Sequence, residues 1–388
     1  MPSLPFQPVL LWSDSLIWML VLSTLWLIWR GRRDPFTVQS LQRLAQDKAA
    51  RWAMAALLPF VLVGLLDSLH YRPALTPTES AKAEQKVSYR VEVLSLLDAI
   101  ATPLRTQNEK TYSAPLATHS FAKEMLSNAE GQQVRDFPAL KYPGSHLFGT
   151  DKVGQDVLYQ VLKSIRTALV IGLVTTLVTL PLGIFFGILA GYFRGWVDDV
   201  VQYIYTVISS VPSVLLIAAS VLMMQVIIDA HPQWFATAAE RADLRLLALC
   251  AIMGMTSWTG LARLLRGETL KLRELDYIQA AHAFAVPHWR ILARHILPNL
   301  LPIVLIALVM DFSSLVLSEA VLSYVGIGVD PATISFGTMI NNARLELGRE
   351  PVVWWTLTAA FIFMFILVLA ANVLADAVQN AFDPRGTR

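Results

Sequence analysis

Seven stretches of this chain stay apolar long enough to cross a bilayer, and strongly basic and nearly uncharged segments separate them. A hydrocarbon core of ~30 Å takes about 20 helical residues at 1.5 Å each. By that measure the pattern predicts spans at 10–29, 52–69, 167–191, 200–228, 244–262, 300–325 and 352–376. The second is the weakest, being short and holding Pro59, Gly64 and Asp67. Pro181 and Pro212 fall inside the third and fourth, and predict kinks whose freed carbonyls neighbouring helices satisfy. Gly183, Gly187 and Gly191 recur every four residues and predict a close-packing face on the third span.

Between the spans, two polar regions carry structure of their own. Residues 70–150 are rich in Ser, Thr, Ala, Lys and Glu, with scattered apolar positions such as Val91, Val93, Leu94, Leu96 and Leu97. A partly structured insertion packed on the outer face of the bundle and a flexible loop both fit. Next, Val157, Leu158, Val161, Leu162 and Ile165 form one stripe at helical spacing. The stripe predicts an amphipathic helix over 155–166, lying along the interface before the third span.

Loop charge sets the expected orientation. Arg30, Arg32, Arg33, Arg43, Lys48 and Arg51 lie between the first two spans, and Arg263, Arg266, Lys271, Arg273, Arg290 and Arg294 between the fifth and sixth. The fourth-to-fifth loop has only Arg241. Both basic loops and the C-terminus are therefore expected in the cytoplasm, with the N-terminus outside. The first span lacks a basic leader and is followed by its basic cluster, so it reads as a retained anchor.

Composition agrees with this pattern. The chain is 55% hydrophobic and only 15% charged, with mean hydropathy +0.51, which requires an apolar solvent. A net charge of +2 gives no field for nucleic acid. The single cysteine, Cys250, sits in an apolar run and excludes an internal disulfide or a cysteine-cluster metal site. The chain reads as an all-α integral membrane protein in three parts. Residues 1–69 hold two spans and a basic loop, 70–166 the insertion and interfacial helix, and 167–388 a five-span core with the loop 263–299.

That loop, RLLRGETLKLRELDYIQAAHAFAVPHWRILARHILPNLLP, is too charged for lipid yet patterned. Tyr277, Ile278, Ala281 and Phe284 are apolar at helical spacing. After Val286-Pro287 a second short helix fits Trp289, Ile291, Leu292 and Ile296, ended by Pro298. Ala280, Ala281, Ala283 and Ala285 permit close approach by another backbone. A helical hairpin that merely stabilises the loop and a docking surface for a second protein fit equally well. His282, His288 and His295 are six and seven residues apart, unlike an i, i+4 metal pair, so no metal site is expected. There is no G-x-x-x-x-G-K-[ST] phosphate loop.

DYIQAAHAFAVPHWRILARHILPN resembles the cytoplasmic loop of ABC-importer permeases, the segment with the pattern E-A-A…G…I…LP. FGTDKVGQDVLYQVL, AGYFRGWVDD, SEAVLSYVGIG and NAFDPR are similar to further motifs of the peptide and nickel uptake group: G-T-D-x-x-G-R-D-V-L, A-G-Y-F-G-G-W-V-D, E-A-x-L-S-F-L-G-L-G and L-D-P-R. The resemblance runs in order from about 146 to 388. It implies a type I importer core and a C-type permease paired with a paralogous one in the bacterial inner membrane. It also implies two cytoplasmic ATPases holding ATP and Mg²⁺, a periplasmic or lipid-anchored binding protein, and no cofactor or catalytic residue on this chain. Asp276, Tyr277, Gln279, Ala280, Ala281, Phe284, Ala285, Trp289, Arg290, His295 and Pro298 would form the ATPase-docking loop, with Tyr277, Phe284 and Trp289 as anchors. Gln279, Ala285 and Gln155 depart from the pattern; alanine for the loop glycine suits only a backbone with φ below zero.

Asp311 and Glu319 are acids inside the sixth span, eight residues apart and nearly on one face. Both are candidates for lining a translocation path and for interhelical hydrogen bonding with Ser313, Ser314 or Ser318. The two readings stay even for Asp311, whereas the packing motif around Glu319 favours the interhelical one. The expected function is uptake of peptides or peptide-like solutes, with nickel or another small solute as the alternative within the group. A membrane enzyme would need a convergent His, carboxylate or Ser cluster. A secondary transporter would show internal symmetry with paired broken helices, and the two halves show no repeat.

Overall fold

The computed structural model describes residues 6–31, 35–74, 89–127, 133–235, 237–330 and 333–382. Arg32, Arg33 and the 383–385 end of the NAFDPR motif lie outside them. In chain order, β1 (Phe6–Val9) precedes α1 (Trp12–Gly31), α2 (Pro35–Gln46) and α3 (Lys48–Asp67). The insertion contributes β2 (His70–Pro73), β3 (Leu94–Ser95), α4 (Leu96–Ile100), α5 (Thr102–Thr106), β4 (Glu124–Ser127) and β5 (Gln133–Asp136). Then follow α6 (Val157–Phe193), α7 (Trp196–Ser210), α8 (Ser213–Ala230), α9 (Ala238–Arg273), α10 (Asp276–Ala283), α11 (His288–Ile291), α12 (Leu297–Val325), α13 (Phe336–Arg344) and α14 (Trp355–Phe382).

Seven helical stretches among the described residues are long and apolar enough to cross a membrane, in the order expected. The fourth differs in form. Val211 is extended (φ −93°, ψ 134°), because proline at 212 disfavours a helical residue before it. The expected kink is therefore a break: α7 ends at Ser210, and α8 alone is the spanning segment.

A second correction concerns residues 155–166. There is no separate interfacial helix, since α6 runs unbroken for 37 residues from an N-cap at Asp156. Asp156 accepts from the Leu158 and Tyr159 amides at 2.8 and 3.2 Å. Val157, Val161 and Ile165, the apolar stripe, are buried against Phe336, Trp355 and their neighbours rather than against lipid. At 1.5 Å per residue, α6 is about 55 Å long and overshoots the hydrocarbon core.

α6 and α9 form the central pair and run in the same direction. Toward their N-terminal ends they share Ser13 of α1, whose amide donates to Asp243 at 3.1 Å and whose hydroxyl accepts from Arg166 at 2.7 Å, while Arg273 at the end of α9 donates to the Tyr192 carbonyl at the end of α6 at 2.7 Å. The glycine row lies between them as expected. A Cβ on Gly187 would stand 2.7 Å from the Ala262 carbonyl oxygen, and one on Gly191 2.7 Å from that of Arg266. Only hydrogen fits where two helix backbones come this close.

The insertion is folded on the bundle. β1, β2 and β3 form an antiparallel sheet, with Val9 opposite His70 and His70 opposite Ser95. β4 and β5 form a separate hairpin. Charged groups fix this end to the helices. Lys163 of α6 meets Asp67 at 2.7 Å and Asp98 at 3.0 Å, and Arg166 meets Asp14 at 2.6 Å. His70 Nδ1 lies 2.7 Å from Asp14. Burial pushes the Asp98 carboxyl up, but the Lys163 ammonium and the Ser95 amide outweigh it and hold it below the usual carboxylate range. Farther along, His146 is buried between Asp156, at 2.8 Å, and Glu109, at 3.8 Å. The Trp355 indole donates to the Thr150 carbonyl at 2.9 Å.

Candidate functional site

At the opposite end of α6 and α9, the chain turns through α10 and α11 into α12. α10 begins after an extended Leu275, with Asp276 in the first turn where the helix dipole favours an acid. It closes with a double-bonded C-terminal turn. The Ala285 amide donates to the His282 carbonyl at 2.9 Å, and the Val286 amide to that of Ala281 at 3.0 Å. This turn needs a left-handed residue after the cap, usually glycine. Ala285 occupies it with φ +55°. The negative φ expected for an alanine here is therefore incorrect, since the turn's hydrogen bonds hold the backbone in the glycine region. Arg194, with φ +57°, is a second such case, standing where the resembled A-G-Y-F-G-G-W-V-D pattern has glycine.

The second short helix does not end at Pro298. α11 continues through a π-helical turn, Leu292–Ile296, into α12. Proline has no N–H to donate, and the widened turn lets the Leu297 amide reach the Leu292 carbonyl, five residues back. Pro298 thus sits in the first turn of α12, where a missing donor is tolerated.

The inner face of the loop is locked to the bundle. Ile278, Ile291, Ile296 and Leu300 are fully buried against Tyr192, Leu261 and Leu265. Ala281 packs on this cluster and is half-buried, on the inward side of α10. Polar contacts brace the base: Arg266 grips Asp198 with two bonds at 2.5 and 2.6 Å, and Arg194 pairs with Glu274. The Arg266 guanidinium holds the Asp198 carboxyl below its ordinary range against a smaller opposing effect of burial.

The outer face is open and apolar. Phe284 is 83% exposed, Trp289 65% and Tyr277 45%. Asp276, Gln279, Ala280, Ala285, Arg290 and Pro298 are exposed around them. Gln279 donates to the Glu274 carbonyl at 3.1 Å, and Arg290 lies over the Trp289 ring. His295 is half-buried beside the Tyr277 ring, whose hydroxyl accepts from Asn299 at 3.2 Å. The turn at 285–287 brings together two of the three histidines. His282 and His288 have ring centroids 5.5 Å apart and share the Tyr192 hydroxyl, at 3.3 and 2.7 Å. Their separation in sequence concealed this pairing. Among the described residues no three His, Cys, Asp or Glu side chains gather as a metal set.

The two acids of the sixth span part company. Glu319 is 2% exposed and accepts from Ser323 and Ser335 at 2.6 and 2.8 Å, joining α12 to α13. Asp311 is half-buried, and its carboxylate has no partner among the described residues. Sequence reasoning missed the Asp14–Arg166 and Lys163–Asp67–Asp98 contacts. Charges placed inside or at the edge of apolar helices were the available signal.

The model for "Binding-protein-dependent transport system inner membrane component" matches residues 183–388, more than half of the chain. The oligopeptide transport system permease protein OppC of Mycobacterium tuberculosis is 30% identical over 251 residues, covering 64% of this chain and 80% of that protein. The glutathione transport system permease protein GsiD of Pectobacterium atrosepticum is 31% identical over 270 residues, covering 69% and 82%. Among solved structures, an inward-facing MetNI methionine ABC transporter aligns with TM-score 0.44 and 18% identity over 58% of this chain and 98% of that one. The chain belongs to the family of binding-protein-dependent transport system inner membrane components, and it is a permease subunit of an ABC importer, a transport protein and not an enzyme.

Proposed function

We propose that this permease imports peptides or peptide-like solutes, and that Asp276–Pro298 docks it to a cytoplasmic ATPase. The observation that carries the docking is the two-sided loop. One face is locked into α6, α9 and α12 by Ile278, Ile291 and Ile296, and the other presents Phe284 and Trp289 to solvent. Exposed aromatics on a rigid base suit insertion into a groove, because their burial releases much area at little entropic cost. The loop differs from a simple stabilising hairpin in leaving its largest side chains uncovered. The short-loop basic bias puts this loop and the C-terminus in the cytoplasm, with the insertion and N-terminus outside.

The full assembly in this reading has a paralogous permease, two ATPases holding ATP and Mg²⁺, and an external binding protein. The peptide class rests on the peptide-group motifs and on the names of the two relatives. The test is a reconstituted transporter with Phe284→Glu in this chain. The expected result is normal membrane insertion with retained ATPase and ATP-driven uptake falling at least tenfold, as for a lost buried aromatic. Unchanged ATPase retention and uptake would overturn the docking assignment. Ion-coupled flux by the chain purified alone would overturn the importer reading.

A further inference from the structure

α12 has one face turned into the subunit and one left open. Inward, Ser313 bonds Asn372 of α14 at 2.7 Å, and Val316 and Ala320 are buried in the core. Outward, Met310, Leu317 and Val321 are 61%, 45% and 51% exposed, with Ser314 and Ser318 exposed among them. Asp311 stands at the edge of this face and at the midpoint of α12, about 21 Å from either end by helical rise. The two serine hydroxyls donate to carbonyls of their own helix, at 2.9 and 2.7 Å, which leaves their oxygen lone pairs directed off the helix. The open face therefore offers a carboxylate and two hydroxyl acceptors at bilayer depth.

Such a group is costly against lipid tails and settles in a polar cavity or against a counter-charge. The chain supplies no counter-charge among the described residues. We propose that Asp311, with Ser314 and Ser318, lines the translocation path and stabilises positively charged groups of the passing solute. This assignment rests on the peptide reading above and adds a charge preference located in the permease.

The test is ATP-driven uptake by the reconstituted complex of Ala-Lys-Ala and Ala-Glu-Ala, compared as a ratio. The binding protein is the same throughout, so a change in the ratio reports the permease. Asp311→Asn should lower the Lys-to-Glu uptake ratio about tenfold, the scale of one lost charge pair in a partly wet site, and Asp311→Lys should lower it further. An unchanged ratio in both variants, whether or not total uptake falls, would overturn the proposal in favour of a packing role. Release of the second permease by Asp311→Asn would overturn it in favour of a contact between subunits. Wild-type complex with no ATP-driven uptake of either peptide would instead fail the peptide reading, and this inference with it.

Discussion

Ala285 offers a direct measurement of what the proposed docking loop's geometry costs. Its φ of +55° lies in the left-handed region, where a Cβ costs roughly 1–2 kcal/mol. Glycine removes that cost but gives back about 0.5–1 kcal/mol in unfolded-state entropy. Ala285→Gly should therefore stabilise the closed turn by roughly 0.5–1 kcal/mol. The side chain is exposed, so no packing change competes with the backbone effect. The assay is amide hydrogen exchange at residues 285 and 286, whose N–H groups close the turn on His282 and Ala281. Exchange there should slow about two- to fivefold, with amides in the middle of α14 unchanged as the control. Ala285→Val should move exchange the opposite way, since β-branching worsens the left-handed fit. Unchanged or faster exchange in the glycine variant, or equal rates for valine and alanine, would refute the argument.

Gly187→Leu should cost more than about 3 kcal/mol, because the first added carbon already meets the Ala262 carbonyl oxygen at 2.7 Å; a fall in melting temperature in detergent, or failure to accumulate, checks it. Acid should unlatch the insertion through Asp98. Its folded pKa lies below the ordinary 3.8, so its stabilising contribution is complete above that value and is lost as pH falls through the lowered one, read as faster exchange in α4. Lys163→Met should reverse the trend, with a loss of roughly 3 kcal/mol at neutral pH that acid partly restores by neutralising Asp98.

The membrane region was legible because runs of about 20 apolar residues leave little freedom in hydrocarbon, and the glycine row marked a close-packing face on α6 without naming α9 as its partner. What escaped sequence reading depended on partners distant along the chain. The 157–165 stripe correctly marked a buried face, but periodicity does not say whether protein or lipid covers it, and here Phe336 and Trp355 do. Pro212 and Pro298 look alike as helix breakers. One ends a helix, whereas the other is absorbed by a π turn whose position no local pattern reveals. In the loop, helical spacing put Tyr277, Ile278, Ala281 and Phe284 on one apolar stripe, but the structure divides them, with Tyr277 and Phe284 exposed and Ile278 and Ala281 packed inward. Ala281 packs on the same inner cluster as Leu272 and Val286, and the His282–His288 pair formed only once the turn at Ala285 reversed the chain.

The continuity of α6 and α9 has a mechanical consequence. Each is a single rod of 37 or 36 residues that reaches from the ion-paired insertion to the docking loop. Their backbones touch along the glycine row, so they resist sliding past one another. A tilt of about 5° imposed at the loop by ATPase closure would sweep the far end of a ~55 Å rod through roughly 5 Å. At Arg166 and Asp243, about 41 and 45 Å from the loop ends of α6 and α9 by helical rise, the same tilt gives about 4 Å, enough to break the contacts that meet Ser13 and Asp14. Under the proposed docking, the insertion rides on the far arm of a lever whose near end is the loop between α9 and α12.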